Sequence, residues 1–184
     1  MPTWLIIVLV VVVLLVLWVI STYNSLISLR NKVKDQWSQI DVVLKRRFDL
    51  IPNLVETVKG YAKHEKETLD SVIKARNTYV SASVPEDQMK ADSELTKAVS
   101  KLFALSEAYP ELKANENFNS LQKELSETED KIQYARQFYN DVVRKYNTKR
   151  ETFPSVIVAS MFKFEEYKFF EASNEERQNV SVKF

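Results

Sequence analysis

The chain begins with an unbroken apolar stretch that runs from Trp4 to Ile20. Its seventeen residues, at about 1.5 Å each, form about 25 Å of helix, and the next three residues bring it close to the ~30 Å hydrocarbon core of a bilayer. The stretch has Trp4 at one end and Trp18 and Tyr23 at the other, which is the spacing of the aromatic belts at the two membrane interfaces. The pattern predicts a transmembrane anchor over residues 1–22.

A cleaved signal peptide and a buried core helix are the two other interpretations of this stretch. A signal peptide has a basic segment ahead of its apolar region, whereas no Lys or Arg precedes Trp4. A core helix of a water-soluble bundle has a polar face, and this stretch has none. Behind the anchor come Arg30, Lys32 and Lys34 against a single Asp35. The positive-inside rule therefore predicts a short external N-terminus and a cytoplasmic C-terminal part.

After the anchor, apolar side chains recur every three or four residues, as on one face of an α-helix. The first stripe consists of Leu26, Leu29, Val33, Trp37, Ile40, Leu44, Phe48 and Ile51. Pro52 then interrupts it. Because proline lacks a backbone N–H, we expect one helix to end at residues 51–52 and a second to begin there and end near residues 81–83. A continuous helix through Pro52 is the alternative.

Two further helices complete the pattern. Pro85 and the two acidic residues after it are typical of a helix start, and this helix is expected to run to about Tyr109. The last stripe alternates spacings of three and four: Phe118, Leu121, Leu125, Thr128, Ile132, Ala135, Tyr139, Val142 and Tyr146. Four helices of about 25 to 35 residues with short connections predict an all-α protein whose residues 23–152 form an antiparallel up-and-down four-helix bundle.

Residues 153–184 differ in composition from the predicted bundle. Up to Phe170 they form the most aromatic stretch of the chain, and the tail after Glu171 is polar. We expect a short helix past Pro154 that caps the core of the bundle. A membrane-interfacial or partner-binding surface is the alternative.

Composition excludes several kinds of chemistry. The chain has one glycine, one histidine and no cysteine, which excludes phosphate-binding glycine loops, thiol catalysis and cysteine-ligated metals. Serine catalysis or a di-iron site would depend on His64, which has no partner motif. We therefore expect no catalytic residue, no cofactor and no metal. Gly60, inside a predicted helix, suggests that another backbone approaches closely there.

The distribution of charge marks two candidate binding surfaces. The 26 basic and 25 acidic side chains nearly balance, so nucleic-acid binding is not expected. The densest basic cluster, Lys45-Arg46-Arg47, is a candidate partner-binding site, and an ordinary solvated turn of helix is the alternative. In an up-and-down bundle the fourth helix returns towards the membrane. Its basic residues would join those behind the anchor in a candidate membrane-proximal collar of Arg30, Lys32, Lys34, Arg144, Lys145, Lys149 and Arg150.

Several stretches of the sequence resemble the LemA family. The most specific is the long stretch from Lys45 to Tyr61, which contains Asp49-Leu50-Ile51-Pro52-Asn53-Leu54-Val55-Glu56-Thr57-Val58. Tyr109-Pro110-Glu111-Leu112-Lys113-Ala114-Asn115 continues the resemblance. Residues 23–26, 37–48, 59–62, 75–76 and 139–140 continue the resemblance, which covers essentially the whole chain. The sequence departs from the family pattern at Phe48, where tyrosine is usual, and at residues 161–164, which lack the glycine often present there.

The resemblance implies a bacterial inner-membrane protein with an N-terminal anchor, a cytoplasmic helical bundle and no enzymatic activity. Some relatives are linked to the assembly of internal membrane organelles, which implies a structural role. We therefore expect a scaffold that recruits protein partners, including copies of itself, and no small-molecule substrate. A membrane-surface or lipid-organising protein is the alternative, and a hydrolase or metal enzyme is the third interpretation.

Overall fold

The structure is a computed structural model that describes residues 2–170, and the predicted polar tail after Glu171 lies outside the described residues. Six helices follow one another: α1 (Thr3–Tyr61), α2 (Lys66–Ser81), α3 (Pro85–Ser106), α4 (Pro110–Lys113), α5 (Glu116–Glu151) and α6 (Ser155–Met161). No strand occurs in this part of the chain. The prediction of an all-α protein is confirmed.

The helix α1 continues through Pro52, so the prediction that a helix ends at residues 51–52 is wrong. α1 ends instead at Tyr61, ahead of a short turn. Proline cannot donate a hydrogen bond to the carbonyl four residues earlier, which here belongs to Phe48. That carbonyl accepts a hydrogen bond of 3.2 Å from Nε of Arg76 in α2. A side chain of the neighbouring helix therefore takes the place of the backbone donor.

The described residues form two compact units. Unit 1 consists of residues 2–38 and 137–169, and unit 2 consists of residues 39–136 with Phe170. The division into domains at residues 22 and 152, made from sequence composition, stays a prediction.

Unit 2 contains the end of α1, the whole of α2, α3 and α4, and the start of α5. Phe48 of α1 stacks on Tyr79 of α2, with ring centroids 3.7 Å apart. Asn115, just ahead of α5, donates to the hydroxyl of Tyr61 at the end of α1. Short turns connect the helices, and the four longer ones, α1, α2, α3 and α5, alternate in direction as expected of an up-and-down bundle. α2 has only 16 residues because the residues just past Pro52 belong to α1. α3 begins at Pro85 as predicted and has 22 residues, since it ends at Ser106 and not at Tyr109.

The predicted apolar stripes of α1 and α5 contribute many of the buried side chains of the core. On α1 the buried members are Leu26, Val33, Ile40, Leu44, Phe48 and Ile51, and on α5 they are Phe118, Leu125, Thr128, Ile132, Tyr139 and Tyr146. Each buried leucine, isoleucine or phenylalanine side chain contributes about 1.5–3 kcal/mol relative to an exposed one. Burial of these stripes therefore explains why helices with ordinary intrinsic propensity are stable here.

Unit 1 contains the start of α1, the end of α5, and α6 with the segment that follows it. Trp37 meets Tyr139 with ring centroids 5.7 Å apart, and Arg30 and Tyr146 line one cavity. Seven residues separate these two contacts on each helix, so α1 and α5 run antiparallel in a constant register. α6 confirms the predicted short helix past Pro154, and its buried side chains are Ser155, Val158 and Ala159.

The apolar start of α1 is long enough to cross a membrane. Its most apolar 18-residue window has a mean hydropathy of 3.3, and only 6% of that window is buried. A core helix of a water-soluble protein is mostly buried, so that interpretation does not fit. Trp4 is exposed, whereas Trp18 and Tyr23 are half-buried.

Candidate functional site

The predicted partner-binding cluster of Lys45, Arg46 and Arg47 is divided by the geometry of α1. Consecutive residues on an α-helix point about 100° apart. Lys45 and Arg46 are exposed, whereas Arg47 points into unit 2 with 4% of its side chain exposed. Arg46 pairs with Glu124 of α5 at 2.6 Å on the surface. Lys45 and Arg46 are therefore the members of the cluster that a partner can reach.

Arg47 belongs to a buried ion network that joins three helices of unit 2. Its guanidinium donates to Asp92 at 2.9 Å and to Thr96 at 3.0 Å, both on α3. It also pairs with Glu129 of α5 at 2.8 Å, and Arg136 of α5 donates to the second carboxylate oxygen of Asp92. Because Asp92 is fully buried, these two guanidinium groups offset the desolvation of its charge.

The sequence carries a signal for this network in its buried stripes and not in its surface clusters of charge. Arg47 lies three residues after Leu44 and four before Ile51, which places it on the buried stripe of α1. Asp92 lies three residues before Leu95 on α3 in the same way. A charged residue on an apolar stripe indicates a buried partner of opposite charge, and only the tertiary structure identifies that partner.

Tyr79 ties α2 to α1 through a second polar contact. Its hydroxyl donates to Asp41 at 3.0 Å, and its ring is buried against Phe48. Burial and the hydrogen bond to the Asp41 carboxylate raise the pKa of Tyr79 well above its usual value, because both disfavour the phenolate. This contact stabilises the packing of α2 against α1, as the Arg76–Phe48 hydrogen bond does.

One end of unit 2 brings together two of the stretches that resemble the LemA family. The hydroxyl of Tyr109 donates to Glu65 at 3.0 Å, and the side-chain amide of Asn115 donates to the hydroxyl of Tyr61 at 2.9 Å. The hydrogen bond to Glu65 raises the pKa of Tyr109. An open pocket of about 310 Å³ lies here, lined by Tyr61, Ala108, Tyr109, Pro110 and Glu111. We call these five residues and Gly60 the end surface.

Gly60 faces solvent, and the prediction that another backbone approaches it closely is wrong. A Cβ atom built on Gly60 would meet no described atom within 4 Å. Glycine inside a helix is about 1 kcal/mol less favourable than alanine. The described part of the chain therefore offers no packing reason for this glycine. His64 lies exposed in the turn between α1 and α2.

All seven residues of the candidate basic collar lie in unit 1, and several have partners there. Arg30 lies over the ring of Phe164, 5.6 Å from its centroid. Arginines of α5 pair with acidic neighbours, in the pairs Arg144–Asp141 at 3.3 Å, Arg150–Glu151 at 2.6 Å and Arg150–Glu166 at 3.3 Å. Lys32, Lys34 and Lys145 are exposed, and Lys149 is half-buried. The exposed lysines are the members that an anionic surface can reach most directly.

The segment after α6 is held on α5 by side chains that bind its backbone. The hydroxyls of Tyr146 and Tyr139 donate to the carbonyls of Glu165 and Lys168, at 2.8 and 3.1 Å. Asn147 donates to the carbonyl of Tyr167 at 2.8 Å and accepts from its N–H at 3.2 Å. Burial raises the pKa of Tyr146, the first of these donors. This role of Asn147 could not be predicted from the sequence, because a single polar residue inside a helix forms no periodic pattern.

The architecture of the described residues indicates the class of protein to which the chain belongs. Within residues 2–170, no group of three or more acidic or histidine side chains is placed to hold a metal ion. The same residues form six helices in two units, and the apolar start of α1 is long enough to cross a membrane, which indicates a membrane-associated helical protein.

The chain belongs to the LemA family, since the family model with that description matches residues 36–184. Its relatives include Protein LemA of Metamycoplasma hominis, 27% identical over 160 residues that cover 86% of this chain and 73% of the relative. Magnetosome protein MamQ 2 of Paramagnetospirillum magneticum is 23% identical over 186 residues, covering 87% and 68% of the two chains. Magnetosome protein MamQ of Magnetospirillum gryphiswaldense is 22% identical over 174 residues, covering 80% and 64%. The resemblance stated from the sequence is confirmed.

Proposed function

We propose that this protein is a non-enzymatic scaffold of the bacterial inner membrane that recruits partner proteins through the end surface of unit 2. The N-terminus would lie outside and the bundle in the cytoplasm, as the basic residues behind the anchor predict. The observation that carries the proposal is Gly60, a helical glycine whose missing side chain leaves open space next to a tyrosine-lined pocket.

The energetic argument starts from the preference for alanine over glycine in a helix. That preference is about 1 kcal/mol, and nothing inside the described chain compensates for it at Gly60. A partner that packs directly on the α1 backbone would compensate for it, because a Cβ would then stand in its way. Tyr61 and Tyr109 next to it are of the residue type enriched at protein interfaces. Partner-binding at this end is also compatible with a chain fixed in a membrane by α1.

Site-specific cross-linking in cells tests the proposal. A photo-reactive residue replaces Ala108 or Glu111 on the end surface, and Ser100, exposed two turns earlier on α3, is the matched control. We expect a defined cross-linked product from positions 108 and 111 and none from position 100. A product of twice the chain mass would identify a second copy as the partner.

Gly60→Ala provides the decisive comparison. We expect it to raise the free energy of unfolding by roughly 0.5–1 kcal/mol, and at the same time to lower the cross-linking yield. If Gly60 were required for packing within the chain, Gly60→Ala would instead lower the free energy of unfolding. If Gly60 had no role in partner binding, the cross-linking yield would be unchanged. Either of these results would contradict the proposal.

The second candidate function is the organisation of anionic lipid by the basic collar. The observation in its favour is that residues 23–38 and 137–169 of unit 1 carry nine basic and five acidic side chains next to the apolar span. Each basic residue near an anionic surface contributes about 1 kcal/mol. Charge reversal at Arg144, Lys145, Lys149 and Arg150 should then abolish clustering of labelled phosphatidylglycerol around the reconstituted full chain. Cross-linking at the end surface should survive that reversal.

A further inference from the structure

The outer face of α6 is apolar, although it is the face that meets solvent. Phe153, Ile157, Met161 and Phe162 are between 49% and 81% exposed. Ile157 and Met161 lie one turn apart on α6, Phe153 and Phe162 flank the helix, and Val158 and Ala159 on the other side are buried; the four exposed residues are called the stripe below. A helix on the surface of a water-soluble protein would place polar residues at these positions.

The stripe lies next to the end of the apolar span. The ring of Tyr23 is 4.7 Å from that of Phe162 and 5.7 Å from that of Phe164, centroid to centroid. Tyr23 follows Ile20 by three residues, which is about 4.5 Å along the helix axis. Thr22, between them, is buried although most of the span is exposed. The C-terminal end of α6 is therefore within one helical turn of the end of the span.

The register of α1 against α5 brings the end of α5 close to the level of Tyr23. Trp37 lies opposite Tyr139, and Arg30 lines one cavity with Tyr146, seven residues away on each helix. The same register places Glu151, the last residue of α5, within two residues of the level of Tyr23. Phe153 follows two residues later, so the connection from α5 to α6 begins near the end of the span.

Lysines border the stripe on both sides. Lys149 lies in the last turn of α5, four residues before Phe153, and the exposed Lys163 follows Phe162 directly. Lys163 has a positive φ of 53°, a conformation that favours glycine, and it lies in the segment where the family often has one. Among the nearby acidic residues, Glu151 and Glu166 pair with Arg150. An apolar stripe with lysines at its edges is typical of an element that lies in a membrane interface.

We propose that α6, with Phe153 and Phe162, inserts into the interfacial layer of the same bilayer that α1 crosses. The occupant of this apolar surface is then lipid at the boundary between headgroups and acyl chains. The chain would contact the membrane at two elements, which sets the rotation of α1 about its own axis. This inference is independent of the proposed scaffold function, because it requires neither a partner protein nor anionic lipid.

Fluorescence quenching by lipid tests this insertion in the full chain. Since the chain has no cysteine, Ile157→Cys and Met161→Cys give single sites for an environment-sensitive fluorophore. The matched control is Asn31→Cys, an exposed position of unit 1 about 12 Å beyond Tyr23 along α1. Each labelled protein is reconstituted in phosphatidylcholine vesicles with lipids that carry a nitroxide near the top of the acyl chain. Iodide serves as the aqueous quencher.

Insertion predicts that labels at positions 157 and 161 are quenched several-fold more strongly by the nitroxide lipid than the label at position 31, and less by iodide. Equal quenching at all three positions would show that α6 stays in water and would overturn the inference. Protection from both quenchers would place a second copy of the chain on the stripe, which also overturns it. All three sites are exposed, so the labels should leave the helical circular dichroism unchanged.

Discussion

Arg76 of α2 donates a hydrogen bond to the carbonyl of Phe48 in α1, the acceptor that Pro52 deprives of its helical partner. A hydrogen bond between two residues that are 28 positions apart in sequence thereby allows α1 to continue through a proline. A buried acceptor without a donor destabilises a protein by about 1–3 kcal/mol.

This relationship predicts an energetic coupling between Arg76 and Pro52. Arg76→Ala should lower the free energy of unfolding by about 1–3 kcal/mol in the wild-type chain. In a Pro52→Ala background the loss should be smaller, because the N–H of residue 52 then donates to Phe48 itself. The double-mutant cycle, measured by urea unfolding, should give a coupling energy of at least about 0.5 kcal/mol. Equal losses in both backgrounds would show that Arg76 acts independently of the proline.

The adjacent arginines 46 and 47 are expected to differ in their contribution to stability. Arg47→Ala leaves the fully buried Asp92 with one guanidinium fewer, and should lower the free energy of unfolding by about 3 kcal/mol or more. Arg46→Ala removes an exposed pair with Glu124 and should lower it by less than about 1 kcal/mol. The measurement is thermal or urea unfolding of both variants in the same detergent or bilayer. Similar losses would contradict the network described for unit 2.

Tyr79 should make the protein sensitive to alkaline pH. Its pKa is raised in the folded chain, so above about pH 10 the unfolded chain binds fewer protons than the folded chain. The free energy of unfolding should be unaffected by this group below that pH and should fall above it, by at most about 1.4 kcal/mol per pH unit. Tyr79→Phe should reduce this slope. Tyr109 and Tyr146, whose pKa values are also raised, remain in both proteins, so the difference isolates Tyr79.

Membrane topology tests the cytoplasmic placement of the bundle. A single cysteine at Ser120, an exposed position on α5, can be labelled with a membrane-impermeant maleimide because the chain has no other cysteine. We expect protection in intact cells and labelling after lysis. Labelling in intact cells would reverse the orientation inferred from Arg30, Lys32 and Lys34, and partners would then be sought in the cell envelope.

The features that sequence alone predicts here are those that depend on neighbours along the chain. The apolar span, the stripes on α1 and α5, the start of α3 at Pro85 and the short α6 follow from hydropathy, helical periodicity and the preference of proline for a first turn. Each of these signals is contained within one helix, so no knowledge of packing is needed to read it.

The features that could not be predicted from local sequence depend on contacts between residues that are distant along the chain. Whether Pro52 ends α1 depends on Arg76, which is in the next helix, and local propensity cannot account for that donor. Whether Arg47 serves a partner or the core depends on Asp92, 45 residues away. Whether Gly60 packs against another backbone depends on what surrounds it, and the structure shows open space. A helix reveals in its own sequence which face is apolar, but the groups that meet its polar atoms come from other helices and are set only when they pack.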